Sequence, residues 1–355
     1  MNPAVRVFLA LMFWAAALPA GAAPEDRRGY GSATAATHLL VRGTTDIALF
    51  DSVLGLFATA HPDLRIDYEQ WGSNDLYDLG VAACADGAQA ADLVISSSVD
   101  QQVKLVNDGC AQAHASPETA ALPAAANWRN EIFGITREPA VIVYNRALVP
   151  QGDVPHSRFD LIDLLRPEKS LYTGRIATYD IEQSGLGYLF AFADSQQATT
   201  FGSVIEAFAR IHAVTTCCSA EIIDGVASGK YLIAYNVLGS YALARAETDP
   251  NIAIVAPTDY TLVLSRAALI PSRAANPGAA GDLIDFLLSP PGRAALRARH
   301  LYLDESDPAG ADLLATGGGA SNLRPIPLSP VLLVGLDQQS RAHFIDLWRA
   351  TFSKP

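Results

Sequence analysis

Small hydroxyl-bearing and glycine residues recur in this 355-residue chain at places where an apolar, strand-like run gives way to helix-like spacing. The runs are Gly43-Thr44-Thr45, Ser96-Ser97-Ser98 and Ser184-Gly185-Leu186-Gly187. Unpaired backbone N–H groups and the positive end of the helix dipole meet at a helix start, so these places suit a carboxylate or a phosphate. Ordinary N-capping explains any single run equally well. The three runs together favour an anion-binding site, with Thr44, Thr45, Ser97, Ser98, Ser184 and Gly185 as candidate ligand-binding residues.

A fourth candidate is the run from Asn236 to Tyr241, which follows an apolar strand and opens a helix. It offers an amide at Asn236, a hydroxyl at Ser240 and a phenol at Tyr241. The alternative is a capped turn with Tyr241 packed in the core. We predict that Asn236, Ser240 and Tyr241 contact the ligand.

Arg137 is the candidate charge partner for an anion, because a guanidinium can bind an oxyanion through two parallel hydrogen bonds. It stands beside Glu138 and Pro139 in an extended stretch of the chain. An internal ion pair between Arg137 and Glu138, or a solvated charge, would explain the same residues without a ligand.

Motifs for catalysis or metal binding are missing from the sequence. The run from Gly225 to Lys230 has three residues between its glycines where a phosphate-binding loop needs four, and Gly-x-Ser-x-Gly does not occur. The seven histidines are scattered without ligand spacing, and no Cys-x-x-Cys is present. We therefore predict a protein that is not an enzyme and that has no cofactor and no metal site.

Strand-like and helix-like segments alternate from Leu39 onward, which favours an α/β fold with mixed sheets covered by helices on both faces. Two longer extended segments, 132–144 and 260–270, bracket a compact middle region. They predict two crossings of the chain between two lobes.

The first 22 residues have the pattern of a secretory signal peptide. Arg6 precedes an apolar run from Val7 to Leu18, and Ala20-Gly21-Ala22 provides a small-x-small cleavage site. The apolar run is shorter than the roughly 20 residues that span a bilayer. No cysteine follows the cleavage region, so we expect the mature chain to be free in the periplasm.

The net charge and the length of the chain limit the kinds of molecule that it can bind and the number of lobes that it can form. The formal net charge is −12, and removing residues 1–22 takes away Arg6 and no acid, which makes it −13. Such a surface repels nucleic acid and anionic lipid, so an anionic ligand must be held by local dipoles. Half of the chain is hydrophobic, enough for two cores, and a mature length of about 330 residues favours two lobes.

Four cysteines, Cys84, Cys110, Cys217 and Cys218, lie in a chain bound for a compartment that permits disulfides. The sequence allows three pairings. We predict a bridge between Cys84 and Cys110, with Cys217 and Cys218 either free and buried or joined to each other.

Several stretches resemble the bacterial extracellular solute-binding proteins of the ferric-iron-binding type, in their two-crossing structural class. The matching stretches are 137–145, 174–180, 227–231 and 276–290. The resemblance implies a two-lobed periplasmic binding protein of type II, with two hinge strands, a ligand in the cleft, and delivery to an inner-membrane permease driven by a cytoplasmic ATPase. It divides the chain into residues 23–138 and 258–355 for the first lobe and 139–257 for the second. We expect a monomer whose last helix packs on the first lobe.

The resemblance does not imply iron. Ferric-binding members use two adjacent tyrosines after the strand that here ends near Tyr235, and this chain has Gly239-Ser240-Tyr241 there. Losing one phenolate disfavours Fe³⁺, which prefers charged oxygen ligands. The residues are more similar to relatives that bind phosphorylated or carboxylated organic solutes, some of which, like the phosphoglycerate transport regulatory protein, report to a sensor histidine kinase. A kinase-coupled sensor, a ferric-iron-binding protein and, as an outsider, an exported enzyme are the alternatives.

Overall fold

The computed structural model describes residues 23–85, 87–166, 171–197, 199–304, 308–317 and 319–352, so the predicted signal peptide lies outside the described residues. The strands are β1 (Asp26–Tyr30), β2 (Thr37–Gly43), β3 (Leu64–Gln70), β4 (Leu93–Ser96), β5 (Ala111–Gln112), β6 (Asn127–Trp128), β7 (Ile132–Gly134), β8 (Glu138–Asn145), β9 (Ile176–Tyr179), β10 (Val214–Thr216), β11 (Ile233–Leu238), β12 (Ile252–Val255), β13 (Thr261–Leu264), β14 (Ala267–Pro271) and β15 (Leu323–Pro325).

Helices follow most of these strands. They are α1 (Ile47–Ala60), α2 (Ser73–Ala85), α3 (Val99–Asn107), α4 (Pro117–Ala120), α5 (Arg158–Leu165), α6 (Gly185–Gln197), α7 (Phe201–Arg210), α8 (Ser219–Ala227), α9 (Gly239–Ala246), α10 (Pro277–Leu288), α11 (Pro290–Arg297), α12 (Pro308–Thr316), α13 (Leu333–Leu336) and α14 (Gln338–Phe352), with short 3-10 helices at Ala124–Ala126, Gln151–Asp153, Ala320–Asn322 and Pro330–Leu332. None of the described helices combines the length and apolar character that crossing a bilayer requires.

The first sheet has the strand order β1-β3-β2-β4-β14-β7-β6, with β5 also paired to β14. Its central strand β2 is parallel to both β3 and β4, so these three strands end at the same edge. Helix α1 buries Phe50, Leu54 and Phe57 against this sheet, at the spacing of one helix face. The strand–helix units predicted from Leu39 to residue 109 are confirmed.

The second sheet has the order β10-β9-β11-β8-β13-β15, with β12 also paired to β8. Strand β9 is parallel to β10 and β11, while β8 is antiparallel to β11. The run that resembled a phosphate-binding loop is the end of α8 followed by a turn in which Gly229 has φ +74°. Its first glycine, Gly225, packs against the ring of Tyr231.

The chain passes from the first sheet to the second through residues 135–137, between β7 and β8. It returns through residues 265–266, between β13 and β14. Each of the two extended segments therefore consists of two strands that belong to different sheets. The predicted pair of crossings is present, and the chain passes to the second sheet once more before β15. The lobe boundaries at 138/139 and 257/258 stay predictions.

The prediction that the last helix packs on the first lobe is wrong. After α11 the chain comes back to the second sheet, where β15 pairs with β13 and α14 packs against α7. The Phe344 ring contacts the rings of Tyr188, Phe192 and Phe201. The amphipathic spacing of α14 indicated a buried face, but it carried no information about which lobe would cover that face.

Both cysteine pairs are bonded in the structure. Cys84 and Cys110 are bonded, with their Sγ atoms 2.05 Å apart, and this confirms the predicted pairing. The bridge joins the end of α2 to the start of β5. The neighbours Cys217 and Cys218 are joined to each other, which is one of the two states left open for them.

Candidate functional site

A cavity lies between the two sheets, at the edge where their parallel strands end. Side chains from both sheets and from the second crossing line it. They are Glu25, Thr44, Asp46, Trp71, Gly72, Ser73 and Ser97 from the first sheet's side, Tyr179, Ser184, Leu186, Cys217, Cys218, Ser219, Leu238 and Tyr241 from the second, and Arg266 from the crossing. Open α/β sheets bind their ligands at this edge.

Helix starts surround the cavity. Asp46, Ser184 and Leu238 each immediately precede a helix, α1, α6 and α9 respectively. Ser73 and Ser219 are themselves the first residues of α2 and α8. Because the first N–H groups of a helix have no acceptor within that helix, the positive ends of helices from both sheets point toward one space. This arrangement suits an anion.

The first lobe contributes a hydroxyl pair at the ends of β2 and β4. The Oγ atoms of Thr44 and Ser97 are 3.1 Å apart, and the Ser97 backbone N–H donates to the Thr44 Oγ1 at 2.9 Å. Arg266 Nη1 donates to both the Thr44 carbonyl and its Oγ1 at 3.3 Å. These contacts fix the guanidinium edge at the cavity wall.

The charge of Arg266 is balanced inside the protein. Its Nε donates to Glu138 Oε1 at 2.9 Å, and the arginine and the glutamate side chains are 1% and 0% exposed. The same carboxylate accepts hydrogen bonds from Thr136 and Ser240. Arg266 can therefore orient an anion by hydrogen bonding, but most of its charge is already matched by Glu138.

Tyr241 connects the two sides of the cavity. Its hydroxyl donates to Asp46 Oδ1 at 2.8 Å and accepts from the Asp46 backbone N–H at 3.1 Å. Burial raises the pKa of Tyr241 well above its usual range, and the Asp46 carboxylate raises it further. The phenol therefore stays neutral and acts as a hydrogen-bond donor.

A second set of contacts crosses the cleft beside the cavity. The Gly185 backbone N–H donates to Ser73 Oγ at 2.9 Å, and Asn74 Nδ2 donates to the carbonyls of Glu182 and Gln183 at 3.0 Å. These bonds join the start of α2 in the first lobe to the loop before α6 in the second. The structure thus has the lobes closed on each other.

On the second lobe, Tyr179 and Ser219 form another hydroxyl pair, with their oxygens 2.5 Å apart. Burial raises the pKa of Tyr179 above its usual range. Ser184 caps α6 through a hydrogen bond from the Gly187 backbone N–H, at 3.1 Å. The polar side chains on this wall are therefore neutral hydroxyls.

Of the predicted ligand-binding residues, Thr44, Ser97, Ser184 and Tyr241 line the cavity. Gly185 lies beside it, where a side chain would meet Ser98 Oγ and Gln101. Thr45 and Ser98 are buried behind the wall, and within the described part of the chain their hydroxyls have no hydrogen-bond partner.

The other predicted residues have structural partners away from the cavity. Ser240 donates to the Glu138 carboxylate, and Asn236 donates to Asp194 Oδ2 at 3.2 Å inside the second lobe. Arg137 donates to the Leu303 carbonyl at 2.9 Å, so Arg266 takes the place that we predicted for it beside the cavity. Both arginines stand near a crossing, and sequence alone does not indicate which of them turns inward.

Sequence reasoning missed Asp46, Tyr179, Ser219, Arg266 and the Cys217–Cys218 pair as cavity residues. Asp46, Tyr179 and Ser219 stand at strand ends or helix starts, which is the signal that identified Thr44 and Ser97. The strand before Ser219 is only three residues long, so it was not predicted and the signal was lost there.

Among the described residues, no group of three or more histidine, cysteine, aspartate or glutamate side chains is arranged to hold a metal ion. Tyr179 and Tyr241 both line the cavity, where their hydroxyls hydrogen-bond to Ser219 and to Asp46.

Comparison with solved structures places this geometry among transport proteins. The substrate-binding protein of an ABC transporter from Agrobacterium tumefaciens is 35% identical, with a TM-score of 0.85 over 92% of this chain and 98% of that one. The protein AfuA from Actinobacillus pleuropneumoniae, with fructose-6-phosphate bound, is 16% identical, with a TM-score of 0.69 over 90% of this chain and 100% of that one. Iron-bound HitA from Pseudomonas aeruginosa is 16% identical, with a TM-score of 0.67 over 89% and 99%.

No curated protein matches the sequence significantly. The family model described as bacterial extracellular solute-binding protein matches residues 39–301, which include both crossings and all the cavity residues except Glu25. Members of this family bind small ligands and deliver them to a membrane permease. Because of this match and the similarity to the Agrobacterium protein, we conclude that the chain belongs to the bacterial extracellular solute-binding proteins. It is a periplasmic, non-enzymatic component of an ABC transporter.

Proposed function

We propose that this receptor closes on a small anionic organic solute, phosphorylated or carboxylated, and presents it to an inner-membrane permease. The observation that carries the proposal is the convergence of helix starts from both sheets on one cavity. A ligand that contacts both walls binds the closed form better than the open one, and this difference in affinity drives closure.

The charges at the cavity support an anion that also carries hydroxyl groups. The hydroxyls of Thr44, Ser97 and Ser184 supply donors for the anionic group, and the positive ends of the surrounding helices favour its charge. Asp46 and Glu25 also line the cavity, and carboxylates can only accept hydrogen bonds when ionised. We therefore place the anionic group at the helix starts and hydroxyl groups of the solute near the two carboxylates.

Fold likeness alone does not choose the ligand, because one neighbour is described with fructose-6-phosphate and another with iron. The side chains at the cavity bear on this choice. Tyr179 and Tyr241 already hydrogen-bond to Ser219 and Asp46, and among the described residues no group of three or more histidine, cysteine, aspartate or glutamate side chains is arranged to hold a metal ion, which favours an organic anion over Fe³⁺. Titration with Fe³⁺ should therefore produce no tyrosinate charge-transfer band.

The test is the thermal stabilisation of the purified mature protein by a panel of inorganic phosphate, citrate, glycerol 3-phosphate and fructose 6-phosphate. Organic anions should raise the melting temperature, as expected for ligands that bind only the folded state. Ser184→Leu should abolish this stabilisation, because the side chain would fill the cavity wall. Ser203→Leu, on the exposed face of α7, is the matched control and should retain it.

Stabilisation by Fe³⁺ alone, or equal stabilisation of wild type and Ser184→Leu, would contradict the proposal. A sensor that reports to a histidine kinase would use the same cleft. The genes beside this one distinguish the two partners: a permease and ATPase indicate uptake, and a kinase with a response regulator indicates signalling.

A further inference from the structure

The Cys217–Cys218 disulfide forms part of the cavity wall on the second lobe. It lies in the turn between β10 and α8, and both cysteines are partly exposed. The other disulfide, Cys84–Cys110, lies elsewhere and joins α2 to β5. A disulfide between neighbouring residues closes no loop of the chain, so stabilisation of the fold by loop closure does not explain it. Its position at the ligand cleft indicates a role in binding.

The disulfide differs in chemistry from the hydroxyls of Tyr179, Ser184 and Ser219 on the same wall. A disulfide has no hydrogen to donate, and its sulfur atoms are polarisable and only weak acceptors. Trp71, Leu186 and Leu238 are the other apolar side chains at the cavity. The cavity therefore has both donors for an anionic group and apolar surface that fits carbon atoms.

Cys218 also occupies the N-cap position of α8 and makes no side-chain capping hydrogen bond. Serine, threonine or aspartate at this position would ordinarily accept a hydrogen bond from an N–H group in the first turn. With the sulfur held in the disulfide, those N–H groups are left uncapped by Cys218, next to a cavity that Ser219 lines.

We propose that the Cys217–Cys218 disulfide is a specificity element of the cleft, which contacts the carbon body of the solute and so distinguishes an organic anion from an inorganic one. This inference rests on the proposed function. Its ligand class is an anion attached to a carbon skeleton, because hydrogen-bond donors and apolar side chains line the same cavity.

Reduction of the disulfide should weaken binding of the organic anion. A phosphine reductant breaks the S–S bond, each sulfur gains a proton from water, and the water oxygen forms the phosphine oxide. The two thiols then sit at the wall, and above a pH of about 8.5 an ordinary cysteine thiol is mostly ionised. Thiolate would repel the anion, so the loss of affinity should grow as the pH rises.

The experiment measures affinity by calorimetry for two probes, inorganic phosphate and fructose 6-phosphate, in wild type and in Cys217→Ala/Cys218→Ala. Alanine removes the sulfurs without adding a capping hydroxyl. The preference of the wild type for fructose 6-phosphate should fall about fourfold in the variant, the effect of one buried methylene group. Affinity for inorganic phosphate should stay the same.

Cys84→Ala/Cys110→Ala is the control and should keep the preference for the organic probe. In the Cys84→Ala/Cys110→Ala protein, a reductant can react only with the Cys217–Cys218 disulfide. The preference for fructose 6-phosphate should be lost on reduction and recovered on reoxidation. This measurement tests the inference even if Cys217→Ala/Cys218→Ala does not fold. A preserved preference in both the alanine variant and the reduced protein overturns the inference and leaves the proposed function intact. Failure of wild type to bind either probe, or any other organic anion of the panel, overturns the proposed function and the inference with it.

Discussion

Tyr241 and Asp46, which belong to different lobes, share two hydrogen bonds across the cleft. The Tyr241 hydroxyl donates to the Asp46 carboxylate at 2.8 Å and accepts from the Asp46 N–H at 3.1 Å. Both bonds must break when the lobes separate. The pair therefore stabilises the closed form directly, at the same place where the cavity binds its ligand.

Tyr241→Phe should shift the unliganded protein toward the open form. Each lost hydrogen bond removes about 1 kcal/mol from closure, so the open fraction should rise severalfold. Small-angle scattering should show a larger radius of gyration than for wild type. Tyr172→Phe, which removes a bond to Asp153 within one lobe, should leave the scattering unchanged. Identical scattering for wild type and Tyr241→Phe would show that this pair does not hold the lobes together.

Gly185→Ala should oppose closure because the lobes approach most closely there. An added Cβ would lie 2.5 Å from Ser98 Oγ and 2.9 Å from both polar atoms of the Gln101 side chain. Gly202→Ala, also in a second-lobe helix, is the matched control, since nothing lies within 4 Å of its added Cβ. We expect Gly185→Ala to lose at least half of the thermal stabilisation by the best organic anion.

Gly202→Ala should keep that stabilisation and raise the basal stability slightly, as alanine does in helices. Equal ligand responses from the two variants would mean that the contact of Gly185 with α3 adapts without opening the cleft.

The buried ion pair of Arg266 and Glu138 joins the two crossings, and removing one partner should destabilise the fold strongly. Arg266→Met leaves the Glu138 carboxylate buried without its cation, which costs about 3–5 kcal/mol in such pairs. Arg266→Met/Glu138→Gln removes both charges and should recover much of this loss. Urea unfolding of the three proteins measures the difference. A single variant as stable as the wild type would show that water reaches this pair.

Asp100 should make stability depend on pH. It is 3% exposed on α3, and burial raises its pKa to about 7, against smaller lowering effects of the Gln101 and Asp100 N–H groups and of Arg341. In the unfolded chain an aspartate titrates near 3.9. Between these two values the folded state binds more protons, so this group lowers the free energy of unfolding as the pH rises from about 4 to 7, with little change above that.

Asp100→Asn should remove this dependence. The variant should be more stable than wild type at pH 8, by an amount of the order of 4 kcal/mol, and the advantage should disappear toward pH 4. Urea unfolding across this pH range measures it. A stability difference that does not change with pH would mean that Asp100 is solvated in the folded protein.

The parts of the fold that sequence predicted are those whose signals are local. Alternating strands and helices between β2 and α3 each bury a regular face, so their spacing in the sequence was sufficient. The segment from α7 to α8 was not predicted, because β10 has only three half-buried residues and the last turn of α8 contains Gly225. The docking of α14 on the second lobe depends on Phe201 and Tyr188, far away in the sequence.

The candidate site was predictable to the same extent. Thr44, Ser97 and Ser184 stand at strand ends or helix starts, and the common edge of the strands brings them together. Ser98 is one residue beyond Ser97 and points away from the cavity, toward α6, because successive residues of an extended turn face opposite sides. A pattern of hydroxyl residues indicates where a strand ends and a helix begins, but it does not indicate the direction in which each side chain points.

The most direct test of the central claim is a crystal structure of the closed protein with the solute that native mass spectrometry finds on it after purification. We predict density for an organic anion between the lobes, with its charged group within hydrogen-bond distance of Ser97 and Ser184 and of N–H groups at helix starts of both lobes. A neutral solute, an Fe³⁺ ion held by Tyr241, or a ligand outside this cavity would contradict the account.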